Sequence, residues 1–512
     1  MRIKTRRMLI RYSRMELNVK GVIVKKLKFS LIGVGMALLP AFAQAFVSGS
    51  TGADGAFAPT VNTQVVLPPS GILNYTTVNI PDGVVVTFKK NVTNTPVVML
   101  ASGDVIIAGG INLIGTDGTA TGAAGDGVLG DDGIPGVGGP GGYDGGRGGV
   151  GTLAAAASGS GGAGQGPGGA DGGAVTTYCA PWGAYCIGGG GGGFGSAGAP
   201  GWPNYPGYGT AGGGTYGSSQ LLPLIGGSGG GGGAGYLYTG GGGGGGGGAI
   251  LIASSGTVNI PGWIYAYGGA GGAVAGIGGG GSGGGGSGGA IRIVATTISG
   301  NGSLYAYAQG AGGNSSAGNY TGGAGGVGRI RLEAEIYTRT AGSSPAHTQG
   351  MPGPVFVAGL PTLLITSIGG AAVPAQPTGN ADVTLPSSTA NPVAVTFTTT
   401  GVPAGNTVQL TLKPANGSVV TAVSPALVGD TTSATASVNI TLPDGPSTLQ
   451  ATVTYNIVLA MGNALSVYAQ GERVEKITLA STLGSKESTV TLITISGKQF
   501  VVPAAVLAAL PV

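Results

Sequence analysis

The chain has 512 residues, of which 114 are glycine and only 8% are charged. That balance excludes an ordinary globular average, and 42% hydrophobic residues set in patterned clusters exclude a simple disordered polymer. The formal charge of +4 is local: ten of the 22 Lys and Arg residues precede Phe29, leaving 12 basic against 17 acidic residues beyond Ala45 and no basic footprint for nucleic acid.

The basic start leads into an apolar run from Phe29 to Pro40 and then Ala43-Gln44-Ala45. A positive n-region, an apolar core and an A-x-A site define a secretory signal peptide over residues 1–45, cleaved before Phe46, with Met15 as an alternative start. The run is short for a membrane span and no later stretch resembles one, so the mature chain is expected to be exported without a membrane-spanning segment. In an oxidising compartment Cys179 and Cys186 are expected to form a local disulfide.

Strand signals begin at Ile72, with Pro81-Asp82-Gly83 as a turn before Val84–Phe88. Val98–Leu113 then opens a pattern that recurs as Ala249–Tyr267, Ala290–Tyr307 and, from Ile330, once more. Ile250 and Ile291 are 41 residues apart, and Ile330 follows 39 later. A fixed period of short strands and turns marks stacked repeats. Alternation puts Ile250 and Ile252 on one face with Leu251 on the other, where Arg292 and Arg331 stand in later copies. Tyr265/Tyr305 and Tyr267/Tyr307 fall on two outward columns, expected to lie under glycine segments.

Glycine tracts follow each repeat: a large insertion over residues 115–248, then 268–289 and 308–327. Every third residue from Gly127 to Gly151 is glycine, as a three-fold extended helix requires when neighbouring backbones approach. The tracts therefore read as ordered polyglycine-II-like helices. Within the insertion, Tyr178, Trp182, Tyr185, Phe194, Trp202, Tyr205 and Tyr208 crowd together. They suit either a recognition surface or a small local core around the cysteines.

The Ala-Ile-x-Ile…Gly-x-Ile-x-Ala pattern with its glycine tracts resembles glycine-rich bacterial surface proteins built on a parallel β-helix. The glycine tracts are also similar in architecture to the adhesins at phage tail-fibre tips. The resemblance covers roughly residues 72–340. It implies an all-β fold: a parallel β-helix or solenoid over 46–340 with polyglycine-II-like insertions.

After a linker at 341–360, strands at Leu363–Thr366, Val393–Thr398, Val408–Leu412, Ala434–Leu442 and Leu449–Tyr455 predict an immunoglobulin-like β-sandwich over 361–470. Residues 471–512 read as a β and short-helix extension.

Catalytic chemistry is poorly supplied. Between Asp171 and Glu333 there is no Asp or Glu, and the only histidine is His347, in the linker. Paired carboxylates for glycoside hydrolysis and a Ser-His-Asp arrangement both lack material there. No catalytic residue, cofactor or metal ligand is expected, and the Asp residues among the glycines read as solvated turn carboxylates. The expectation is a non-catalytic exported structural or adhesive protein at the cell surface, binding extracellular polysaccharide or a surface protein, with self-assembly open. The alternative is a β-helix carbohydrate-active enzyme.

Overall fold

A computed structural model describes residues 46–509 apart from 121–132, 152–158, 176–185, 203–209, 275–279, 313–320, 357–359, 375–382, 416, 444, 484–487 and 503. The predicted signal peptide lies outside the described residues. The fold is all-β, with parallel sheets before residue 351 and antiparallel sheets after 361.

Among the described residues, thirteen strands build the parallel part: β1 (Thr63–Val66), β2 (Ile72–Tyr75), β3 (Val78–Ile80), β4 (Val85–Lys89), β5 (Val97–Ala101), β6 (Val105–Ile107), β7 (Gly110–Asn112), β8 (Ala249–Asn259), β9 (Trp263–Tyr265), β10 (Ala290–Ser299), β11 (Ser303–Tyr305), β12 (Arg329–Tyr337) and β13 (Thr348–Gly350). One sheet runs β13-β12-β10-β8-β5-β2 and the other β1-β4-β7-β9-β11. Each turn of the chain thus adds a strand to both sheets in parallel register. Ile252 pairs with Met99 on one side and Ile293 on the other, and Ile293 pairs with Leu332. On the second sheet Val86, Ile111, Ile264 and Leu304 form the matching column. All of these side chains are buried in one interior cluster.

The inward positions are those the period-two reading assigns, and Leu251 does point to the other face. Correction is needed one layer further out. Arg292, expected at an outward position, faces away from the coil interior yet is only 1% exposed. The outer face of the first sheet is itself covered, because Phe194, Leu221 and Leu224 pack on Leu100, Leu251 and Val294 with Val355 alongside. The covering residues are distant in sequence, so strand alternation could not reveal them.

The glycine tracts leave after β7, β9 and β11 and return at β8, β10 and β12. In-register coils set these exits about 4.8 Å apart, the spacing at which extended chains hydrogen-bond. Gly240–Gly248 shows the outcome. Its N–H groups at 240, 243 and 246 donate to the carbonyls of Gly149, Gly146 and Tyr143; those at 241, 244 and 247 to Gly281, Gly284 and Ser287; those at 242, 245 and 248 to Thr119, Thr116 and Leu113. Its carbonyls accept from segments 227–233, 136–139 and 269–272. The bonding direction therefore rotates by a third of a turn per residue, and the segment has six neighbours. A Cβ on Gly244 would stand 2.1 Å from the Gly269 carbonyl oxygen. A chain encircled on every side has no room for side chains, which explains nine successive glycines. The three-residue period holds from Gly136 to Gly151 on the same grounds, while Gly127 and Gly130 lie outside the described residues.

Among the described residues beyond 361, two antiparallel sheets enclose a second core. Thr362–Ile368, Val393–Thr400 and Ala434–Ile440 lie in one sheet; Thr407–Pro414 and Ser447–Asn456 lie in the other. Val474–Thr482, Thr489–Thr494 and Gln499–Val502 continue that second sheet, and Ala504–Ala509 is a short 3-10 helix. Tyr143, Tyr216 and Ile225 from the glycine insertion pack on this core. Tyr143 therefore anchors the array to the antiparallel sheets. Val137, by contrast, is 52% exposed.

Candidate functional site

The predicted aromatic cluster divides. Tyr178, Cys179, Trp182, Tyr185, Tyr205 and Tyr208 lie outside the described residues, so the proposed Cys179–Cys186 bond does too. Cys186 is buried beside Ala234 and Tyr236. Phe194 is not part of a recognition surface. It is 1% exposed, its ring 4.7 Å from Tyr216 and beneath the Arg329 guanidinium. Trp202 is open, at 51% exposure, where its backbone N–H donates to the Thr321 carbonyl.

The second sheet carries a better-built aromatic feature. β9 and β11 bury Ile264 and Leu304, so alternation turns Trp263, Tyr265 and Tyr305 outward, and Tyr267 and Tyr307 continue the pattern. Register places Tyr265 opposite Tyr305. Their rings stack at 5.3 Å and 7°, and those of Tyr267 and Tyr307 at 4.3 Å. Along β9, Trp263 stacks on Tyr265 at 4.3 Å, and Tyr265 on Tyr267 at 4.8 Å. All five stay partly exposed and are not sealed under the glycine segments. Trp263 seats flat because its partner on β7 is Gly110, where a Cβ would stand 2.1 Å from the indole. Since the rings cover one another's faces, a ligand would meet mainly their edges and hydroxyls. Burial, with the Tyr265 and Tyr307 phenols beside it, pushes the Tyr267 hydroxyl far above the usual range. It therefore remains a protonated donor at every physiological pH.

A second cluster joins the covered face. Arg292 reaches both carboxylate oxygens of Glu333, at 3.2 and 3.0 Å, and the Pro354 carbonyl at 2.8 Å. Arg331 Nε adds a 3.0 Å bond, and the Gly353 N–H donates to Glu333 at 2.8 Å. Burial alone would raise the Glu333 carboxyl, but these donors and the Arg292 charge hold it below its ordinary value. Every lone-pair direction is taken up internally, so this node reads as structural. It ties residues 353–355 to β10 and β12.

Among the described residues, no group of three or more His, Cys, Asp or Glu is placed to hold a metal ion. His347 Nδ1 lies 3.0 Å from Ser343 Oγ, a contact the sequence reading missed, but that hydroxyl donates to the Pro345 carbonyl. Gln349, not a carboxylate, meets the other ring nitrogen at 3.1 Å. Burial and the Arg339 charge lower the imidazole's proton affinity. An open cleft in the antiparallel part is lined by Leu385, Thr389, Lys413 and Thr448 among others, with no Asp, Glu, His or Cys in its described lining. No described helix is long and apolar enough to cross a membrane.

The chain matches no protein-family model, no curated protein and no solved structure.

Proposed function

We propose that this is an exported, non-catalytic structural and adhesive protein of the cell surface. In this reading the stacked coils are a β-solenoid, the glycine segments are a polyglycine-II-like brace, and the antiparallel sheets are an immunoglobulin-like sandwich. The aromatic ladder Trp263, Tyr265, Tyr267, Tyr305 and Tyr307 is its recognition face. One observation carries the proposal: five partly exposed aromatics are held in register on a rigid parallel sheet without a charged side chain among them. Tyrosine and tryptophan bring large contact area at low rotamer cost, and their hydroxyls and N–H suit a hydroxyl-rich partner. Extracellular polysaccharide fits that chemistry, with a surface protein as the other occupant.

The test is retention of purified protein on insoluble polysaccharides and on intact cells, with product analysis for released sugar. Replacing Tyr265 and Tyr305 together by alanine should lower retention at least about tenfold while the melting temperature stays close to that of the parent, a loss in the range of two or more aromatic contacts. Unchanged retention would remove the ladder from the account. Released oligosaccharide would turn it toward the enzyme alternative.

A further inference from the structure

The described chain begins with a strap that crosses the stack of coils. Ser50 Oγ donates to the Tyr75 carbonyl on β2 and Ser48 Oγ to the Ala101 carbonyl on β5, at 2.7 and 2.6 Å. The Ser48 N–H donates to Ser255 Oγ on β8 at 3.0 Å. At the far end the backbone nitrogen of Phe46 donates to Glu335 Oε1 on β12 at 2.9 Å. Five residues thus connect the coil of β2 with that of β12, and the Phe46 ring packs on the outer apolar cluster. Glu335 has no cationic partner among the described residues.

The first atom of this strap is also the nitrogen that the predicted leader cleavage would release. We propose that Phe46 and Glu335 form a processing-dependent clamp, an inference that rests on the export reading. A signal peptidase adds water across the Ala45–Phe46 amide. Ala45 departs with the carboxylate, and the Phe46 nitrogen gains protons to become an α-ammonium. Before cleavage that nitrogen offers one uncharged N–H to Glu335; afterwards it offers three donors and a full positive charge. An α-amino group titrates at about 7.7–8.0, so it is largely charged at neutral pH, and charge-assisted hydrogen bonds are roughly twice as strong as neutral ones. Processing thereby fastens the strap across the coils, and the matured chain is held more firmly than the precursor.

Two measurements keep the clamp and the export reading apart. Intact mass and N-terminal sequencing of exported protein should give Phe46 as first residue, and a different start would overturn the premise. Chains released from a cleavable fusion with Phe46 first are then compared with their N-acetylated form, each with Glu335 and with Glu335→Gln. Amides of residues 48–57 should exchange about tenfold more slowly in the free-amine chain than in the acetylated one, the change expected of a charged hydrogen bond. Glu335→Gln should abolish that difference. Equal exchange in the two forms, or a difference that survives Glu335→Gln, would overturn the clamp.

Discussion

Replacing Arg292 by alanine tests the covered outer face. The guanidinium is 1% exposed and the Glu333 carboxylate 3%, so their pair sits outside the coil interior but inside the protein. Removing Arg292 deletes two bonds to Glu333 and one each to the Pro354 and Val355 carbonyls, leaving the carboxylate with Arg331 and the Gly353 N–H. Breaking a buried pair from one side costs about 3–5 kcal/mol. The surviving Arg331 bond puts the expectation at the lower end, about 3 kcal/mol. Arg331→Ala removes a guanidinium that is 16% exposed but leaves Glu333 its two bonds from Arg292, and should cost less, about 1.5 kcal/mol. Urea unfolding followed by intrinsic fluorescence, with midpoints compared at constant slope, reads both. A double change of Arg292 and Glu333 to leucine should recover part of the loss, because the two most deeply buried charges then leave together and only the partly exposed Arg331 loses a partner. Equal effects from the two arginine variants would refute the burial argument.

The same node predicts acid sensitivity. Glu333 is held below its ordinary value in the folded chain, so its contribution is complete above roughly pH 4.3 and is lost as pH falls through the folded value. Melting temperature against pH should show that fall, and Glu333→Gln should flatten it. Gly244→Ala should destabilise the array, since its Cβ would meet the Gly269 carbonyl oxygen at 2.1 Å. Gly214→Ala, with nothing within 4 Å, should be neutral or stabilising by up to about 1 kcal/mol in the same denaturation assay. Ile293→Asp places a charge without a partner in the coil interior and should cost roughly 4 kcal/mol or more, read as loss of the cooperative transition at ambient temperature.

The sequence made the coil interior legible because strand alternation is local. Ile250, Ile252, Ile291 and Ile293 could be assigned inward from spacing alone, and all four are fully buried. The ladder of Tyr265, Tyr267, Tyr305 and Tyr307 was legible for the same reason, since copies 40 or so residues apart stack in register. What lies over the sheet was not legible. Arg292 looks like a solvent-facing residue until Glu333 and the Pro354 carbonyl arrive from elsewhere in the chain. Phe194 shows the same limit: the sequence left it between a recognition surface and a local core, and its packing on Leu251 and Val294 depends on segments distant in the chain. The glycine array stood between these cases. Its period could be read from Gly136 to Gly151, but the place of Gly240–Gly248 at the centre of six neighbours follows only from the hydrogen bonds.

Hydrogen exchange of the Gly240–Gly248 amides tests the central claim most directly, namely that the glycine tracts are a packed brace. Each of these nine N–H groups donates to a carbonyl of another segment at 2.8–3.0 Å. They should exchange only through large openings, with protection comparable to β8 and β10. Exchange of these amides within seconds in the folded protein, while β8 and β10 stay protected, would contradict the account.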